Sequence, residues 1–523
     1  MKKISGRKIA LSIIIILILL VIALFVGKFT FSYLAPDLGE DASNKGEVTA
    51  SGDTIIFNSG TSLSLSATTD NFTTGGANLT STTNPTAKLV ASSKTNKADA
   101  TYYVGVNIKN NSYTYSTTAK TPEILLTIKD EKGNTVTSID GLTYATSGGV
   151  SGFDVTDKIG LFNVDLSHAI TTTSSSSGTT HTWTFTLTFI NLSTDQSDNE
   201  NANMSIEVVL QKDKPLSSLA EVCSGGENLA TCITTLSQKS VSGATNIYYH
   251  DSTLANGAGD NSYRYAGVNP NNFVCFGTNT TPCPTDNLYR IIGVFDGKVK
   301  LIKYDYATSA LLGTDGDYQG TETPDSSYYK GRLTIINTYY WNNSTKKNTW
   351  SESELNKTNL NTNFITNIGT EWAQKIAMTT WKVGGNTFAN ITNQPAKTAY
   401  QNEIVNPVTT NTTDGKTECS AKIGLMYASD YGFAADPSAW TSNLYDYNGE
   451  AIKNVNWMYM GYTEWTISRF ADNSNGAFNV YYIGRVINYG VYSRCGVRPS
   501  FSLLSSTTYV SGSGSASDPM VIN

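Results

Sequence analysis

Residues 181–190 read His-Thr-Trp-Thr-Phe-Thr-Leu-Thr-Phe-Ile, with Trp183, Phe185, Leu187 and Phe189 in one register and Thr182, Thr184, Thr186 and Thr188 in the other. Strict alternation of this kind fits a strand with one face buried and one in water. It does not fit a helix, whose apolar positions recur every 3.6 residues. The pattern returns at Tyr102, Val104, Val106 and Ile108, at Ile124, Leu126 and Ile128, and at Met204, Ile206, Val208 and Leu210. Half-buried strands need a second sheet to cover them, so residues 52–212 are expected to form an Ig-like β-sandwich. Residues 171–180 (TTTSSSSGTT) are low in complexity and read as an exposed loop. This region carries no catalytic constellation and reads as a spacer.

The chain has 523 residues, too many for one core, and two or three domains are expected. Only 15% of residues are charged, against about a quarter in ordinary soluble proteins. Thr, Ser and Asn take their place, which suits the outer faces of strands in an extracellular protein. With 37 basic and 43 acidic residues the net charge is −6, so the chain lacks the basic footprint of a nucleic-acid-binding protein.

Lys2, Lys3, Arg7 and Lys8 precede an apolar run at 9–26 that only Ser12 interrupts. Eighteen helical residues span about 27 Å, close to the hydrocarbon thickness of a bilayer. The flanking charge places the N-terminus in the cytoplasm and the bulk of the chain outside. A cleaved signal peptide is the competing reading, with its best small-residue site after Ala35. Bulky Tyr33 and the following Pro36 disfavour cleavage there. Residues 1–35 are therefore expected to be a basic tip and single-pass membrane anchor, and 36–51 an acidic stalk. The last residues carry no wall-sorting motif, so the anchor is the expected tether.

Six cysteines allow 15 pairings. There is no CxxC, and His168, His181 and His250 are scattered, which argues for structural disulfides and against a metal site. The expected pairs are Cys223 with Cys232, Cys275 with Cys283, and Cys419 with Cys495. Residues 213–242 place Leu216, Leu219 and Val222, then Leu229, Ile233 and Leu236, at helical spacing. They read as a helical linker docked on the next domain.

From 243 to 523 the character is α+β. Residues 287–303 read as a hairpin whose Asp296-Gly297 turn demands positive φ. Residues 351–367 and 371–378 are helix-compatible, the latter with Trp372 and Ile376 one turn apart. Residues 421–428 read as a strand, followed by Ser429-Asp430-Tyr431-Gly432-Phe433. Residues 464–504 open on Trp465, Ile467 and Arg469, alternate through two short strands with a turn at 482–484, and close on Gly496-Val497-Arg498-Pro499-Ser500-Phe501.

That close resembles the GVRP-type ending of formylglycine-generating-enzyme-like domains, which have a C-type-lectin-like fold. Together with the blocks before it, it looks still more like a domain of unknown function common in surface proteins of Gram-positive gut bacteria. The resemblance covers about residues 243–523. It implies a lectin-like α+β fold, with Arg498 buried against a partner and Pro499 ending the strand's hydrogen bonding. It further implies a binding face in the segment just before the motif, made here by Tyr481, Tyr482, Arg485, Asn488, Tyr489 and Tyr492 over an inner row of Val480, Ile483, Val486, Ile487 and Val491. Tyrosine gives large contact area at low entropic cost, and sugar rings stack on such faces.

Other chemistries have weaker signals. Asp251, Asp260 and Asn261, or Asp472, Asn473 and Asn475, offer oxygens for calcium, but neither set has EF-hand spacing. His250 and Asp251 with a nearby Ser suggest a hydrolase triad, but no GxSxG elbow accompanies them. Glu371, Asp430, Glu450 and Glu464 could pair as glycosidase carboxylates. The oxidative chemistry of the resembled enzymes needs paired cysteines, and only Cys495 lies near the motif. No catalytic or metal residue is assigned. The expected function is a membrane-anchored extracellular adhesion protein that recognises a glycan or protein surface; the alternative is a cell-envelope enzyme, either a glycan hydrolase or an oxidative modifying enzyme.

Overall fold

The computed structural model describes residues 45–50, 53–67, 76–92, 97–216, 218–240, 245–409 and 416–523. The expected anchor at 1–35 lies outside the described residues, among which no helix is long and apolar enough to cross a membrane. Residues 36–44 of the expected stalk also lie outside, while Lys45–Ala50 is a strand paired antiparallel with Asp53–Asn58.

The first half is β structure in three sheets around one apolar core. The alternating residues do what their pattern predicts: Trp183, Phe185, Leu187 and Phe189 are fully buried, as are Tyr102, Val104 and Val106. One difference appears at Trp183. The run at 181–190 is two strands, Thr179–Thr182 on Thr86–Val90 and Thr184–Phe189 between Leu79–Thr83 and Ile124–Lys129. The chain changes sheet at the tryptophan, whose backbone N–H donates to Pro85 O at 3.0 Å and whose Nε1 donates to the Tyr102 hydroxyl at 3.0 Å. The opposing strands change over at Asn84-Pro85, where proline has no N–H to lose. Alternation continues unbroken through such a corner because both sheets face the same core.

A second, separate core is built from residues 219 to 522. The helix Leu229–Lys239 belongs to it, with Leu229, Ile233 and Leu236 buried and Asn228 capping its first turn through Thr231 N. The chain's final segment lies on this entry. Gly226 N donates to Tyr509 O at 2.8 Å, Tyr509 N to Glu227 O at 2.8 Å, and Leu229 N to Thr507 O at 3.0 Å. The main sheet runs Ile247–His250, Ser262–Tyr265, Leu288–Phe295, Lys298–Lys303, Ser500–Ser502, Ile423–Gly424, with Phe273–Cys275 also on Leu288–Phe295. Its central hairpin turns at Asp296 (φ 47°) and Gly297 (φ 71°), the left-handed pair a two-residue type I′ turn requires.

Residues 464–504 serve three sheets in succession. Glu464–Phe470, Gly476–Val480 and Val486–Gly490 form one with Gly385–Asn386, Arg494–Cys495 joins Ile336–Tyr340 and Tyr318–Glu322, and Ser500–Ser502 enters the main sheet. The segment is held closed by its own ends. Arg498 Nε and Nη2 each donate to Glu464 at 2.7 Å, and Nη2 also reaches Met458 O at 2.8 Å, with both side chains buried. Burial raises the Glu464 pKa, and Arg498 opposes that rise.

Three local expectations change. The strand expected at 421–428 is shorter, Glu418–Ala421 and Ile423–Gly424, because Asp430 accepts Tyr427 N at 3.0 Å and starts the helix Ala428–Phe433. The helix expected at 351–367 has a wide π-type body, Leu355–Phe364, into which Asn356 and Asn359 are buried. Finally, Cys419 and Cys495 are not bonded to each other. Cys419 lies in the ribbon with Thr379–Lys382 and accepts from Asn356 Nδ2 at 3.7 Å, whereas Cys495 is buried in the sheet with Tyr339. Long-range pairing cannot be read from spacing, and these two residues are built into different sheets. The short-range pairs do form, Cys223–Cys232 and Cys275–Cys283, with Cα–Cα distances of 5.6 and 5.9 Å.

Arg498→Ala leaves Glu464 buried without its cation and is expected to cost about 3–5 kcal/mol in urea unfolding. Peptide mapping after unfolding without reductant is expected to find Cys419 and Cys495 alkylated and the other four cysteines protected; a 419–495 linked peptide contradicts the fold described here.

Candidate functional site

A cleft of about 780 Å³ opens between the hairpin Gly476–Gly490 and the three-stranded sheet that carries Tyr318–Glu322 and Arg494–Cys495. Tyr481, Tyr482, Tyr489 and Tyr492 line it, joined by Tyr340, Tyr462, Gln319, Glu322, Asp325 and Arg494. Four of the six residues expected to bind are thus brought together on one wall.

The hairpin's register explains the arrangement. Val480 pairs with Val486, and both are buried. The turn between them is closed by Tyr481 N to Arg485 O at 2.8 Å and Gly484 N to Tyr481 O at 2.7 Å. Gly484 sits at φ 105°, and a Cβ there would lie 2.8 Å from Tyr447 O, so only glycine fits. Buried tyrosines pin this turn from below: Tyr431 OH donates to Gly484 O at 2.7 Å and Tyr459 OH to Tyr482 O at 2.8 Å. The upper rings then form a chain, with centroids 4.4 Å apart for Tyr481 and Tyr482, 6.2 Å for Tyr481 and Tyr489, and 5.1 Å for Tyr482 and Tyr328. Tyr492 is 48% exposed at the mouth.

Two expected binders are elsewhere. Arg485 turns its guanidinium to the Tyr445 hydroxyl at 2.9 Å and packs over the Tyr445 and Tyr481 rings, supporting the wall from behind. Asn488 is one residue out of phase with Tyr489 and takes the opposite face of the strand. For the same reason Ile487 shares the face of Tyr489 and does not lie beneath it. Ile483 and Ile487 are half-buried, so the inner row is Val480, Val486 and Val491.

The opposite wall is polar. Glu322 accepts Arg494 Nε at 2.7 Å and the Tyr462 hydroxyl at 3.0 Å. Burial and then Glu322 push the Tyr462 phenol above its ordinary range, and burial lifts Tyr489 to about 12. Both are neutral hydrogen-bonding phenols at physiological pH. The segments at 319–325 and Tyr340 had no sequence signal, because they reach the cleft through pairing with Arg494–Cys495. Arg494 was legible in principle, two residues beyond Tyr492 on the same alternation.

The other candidate chemistries separate. Glu371 meets Asn279, Glu450 meets Lys453, Glu464 meets Arg498, and Asp430 meets Lys300 and Arg264, so no two of these carboxylates face each other. Asp251 is an Asx turn accepting Thr253 N and Leu254 N, Asp260 is paired with Arg264, and Asp472 caps Phe388 N. Their oxygens are turned to protein donors and not toward a shared ion. Cys223, Glu227 and Cys232 cluster, but the two sulfurs are bonded to each other. Burial raises the Cys495 thiol well above its usual pKa, which disfavours a thiolate nucleophile.

His250 is fully buried against Phe433 and Trp440, and its Nδ1 accepts Ala258 N at 3.0 Å. Burial and then Arg264 lower it to about 3. Several buried carboxylates carry no sequence signal, Glu403 among them. Glu403 lies under the helix Ala428–Phe433, accepting Ser468 Oγ at 2.6 Å, Asn386 Nδ2 at 3.1 Å and Ser429 N at 3.2 Å. Burial lifts it to about 7, with the serines opposing. No periodicity marks it, since it lies inside the short helical turn Gln401–Val405.

Family models, curated proteins and solved structures alike yield no match to this chain.

These two groups give opposite pH dependences. The His250 pKa is depressed on folding, so its contribution is present above about 6.5 and lost as pH falls toward 3. The Glu403 pKa is raised, so its contribution is present below about 4.5 and lost as pH rises through 7. Between about pH 4.5 and 6.5 the slopes cancel. Relative to the wild-type chain, His250→Gln is expected to make the pH slope of stability more negative by about 1.4 kcal/mol per pH unit and Glu403→Gln more positive by about the same, both read from urea unfolding across that window.

Proposed function

We propose that this chain is a membrane-tethered, outward-facing adhesion protein whose second half is a lectin-like domain that binds a glycan in the tyrosine-lined cleft. The cleft carries the reading. One wall offers the faces of Tyr481, Tyr482, Tyr489 and Tyr492, and the other offers Gln319, Glu322, Asp325 and Arg494. A sugar needs both kinds of surface: apolar ring faces stack on aromatics, and hydroxyls are ordered by a few convergent polar groups. The two disulfides suit an oxidising compartment outside the cytosol. The basic tip and apolar run at 1–26 supply the tether in this reading.

The envelope-enzyme reading lacks support in the cleft. Of its two carboxylates, Glu322 is paired with Arg494 and Asp325 accepts Ser327 N at 2.9 Å, so neither is aligned with a nucleophile. Cys495 lies beneath it as a buried thiol without a second cysteine.

A glycan array probed with the purified chain is expected to yield neutral oligosaccharide ligands. Tyr482→Ala and Tyr492→Ala should each weaken them about tenfold or more, roughly 1.4 kcal/mol, while shifting the melting temperature little. Undiminished binding by the double variant would place the ligand elsewhere. Protease added to intact cells should remove both β units and leave a short N-terminal stub; a mature chain starting near Pro36 in the medium would rule out the tether.

A further inference from the structure

Lys300 stands in the middle of the strand Lys298–Lys303, yet its side chain is only 8% exposed. Its Nζ sits 2.5 Å from Asp430 Oδ2, on a carboxylate that is 1% exposed. The Tyr427, Trp381 and Phe295 rings box the amine at 4.7, 5.3 and 5.7 Å. The remaining contacts of the carboxylate are Tyr427 N to Oδ2 at 3.0 Å and Arg264 Nη1 to Oδ1 at 3.4 Å. Glu403 is fully buried next door, joined to the residue before Asp430 through Ser429 N at 3.2 Å. An ion pair sealed from water in this way pays a desolvation cost that apolar packing would not.

We propose that Lys300 and Asp430 condense into an intramolecular amide that cross-links the main sheet to the helix Ala428–Phe433. Proton transfer from Nζ to Oδ2 gives the neutral amine and acid, the forms that burial favours. The nitrogen lone pair attacks Cγ, and the negative charge that develops on Oδ1 faces the Arg264 guanidinium. The Cγ–Oδ2 bond then breaks, and Oδ2 leaves as water with the first proton and a second taken from the nitrogen. Glu403 relays that second proton. Ammonium and carboxylate become amide and water, nothing is oxidised or reduced, and no co-reactant is needed. The fold supplies proximity, holding the two groups in contact where free amines and carboxylates would be hydrated and apart.

Tandem mass spectrometry of the full chain, purified from its own host, reduced and digested with trypsin, tests this. Residues 299–303 and 423–453 are expected to appear as one branched peptide, lighter than the two segments together by one water. Recovery of 423–453 as an unbranched peptide of full mass from natively folded chain overturns the proposal, as does a water loss that maps to any pair other than Lys300 and Asp430. Lys300→Arg keeps the cation and the ion pair but removes the amine, and should abolish the branched peptide. The wild-type measurement stands whether or not that variant folds. Glu403→Gln is expected to lower the linked fraction at least tenfold; linkage at the wild-type level would remove Glu403 from the reaction.

Discussion

The bidentate contact between Arg498 and Glu464 closes a loop of chain on which the rest of the second unit is assembled. Between these residues lie strands of two sheets, and Ser500–Ser502, just beyond Arg498, enters a third; each sheet takes a strand from this stretch to complete its pairing. A buried ion pair is a poor source of net stability, because desolvation offsets most of its attraction. Its use here is directional. A guanidinium fork donates to a carboxylate in one geometry, so the strand that begins at Glu464 and the one that follows Arg498, in different sheets, are held in one relative placement. Apolar contacts between the same strands would tolerate a slip that the fork does not.

The cleft follows from that placement. The hairpin of 476–490 hangs from the strand Glu464–Phe470, and the strand Arg494–Cys495 crosses to the small sheet opposite, so one short stretch of sequence supplies the aromatic wall and anchors the polar one. The tyrosines beneath the turn donate their hydroxyls to backbone carbonyls, while Tyr481 above it shares hydrogen bonds with Tyr482 and Tyr489 along the cleft wall. Two layers of the same residue type thus divide between support and recognition.

Much of this was legible from residue order, for definite reasons. Alternation locates strands because pleating is a local property, and Trp183, Phe185, Leu187 and Phe189 are buried as their spacing requires. The Asp296-Gly297 turn was readable because positive φ is a demand on single residues. What failed was long-range. Cys495 lies near the motif and Cys419 would reach it only by folding, and which sheet each strand joins is decided by tertiary packing. Arg485 and Asn488 failed on phase: one residue's offset changes the face, and a turn's length sets the offset. Glu403, Lys300 and Arg264 carry no local signature, since a short helical turn and two strands from distant parts of the chain gather them into one buried cluster.

The hydrogen bonds between residues 226–229 and 507–509 have a consequence for how such a unit travels between proteins. Its two ends meet at one spot, where the segment around Tyr509 pairs with the turn that leads into the helix Leu229–Lys239. A unit whose ends meet needs only a narrow gap in a host chain, so it can be set into a surface loop or strung in tandem without disturbing its core or its neighbour's. The cleft is built from strands outside that seam, and it would go wherever the cassette goes.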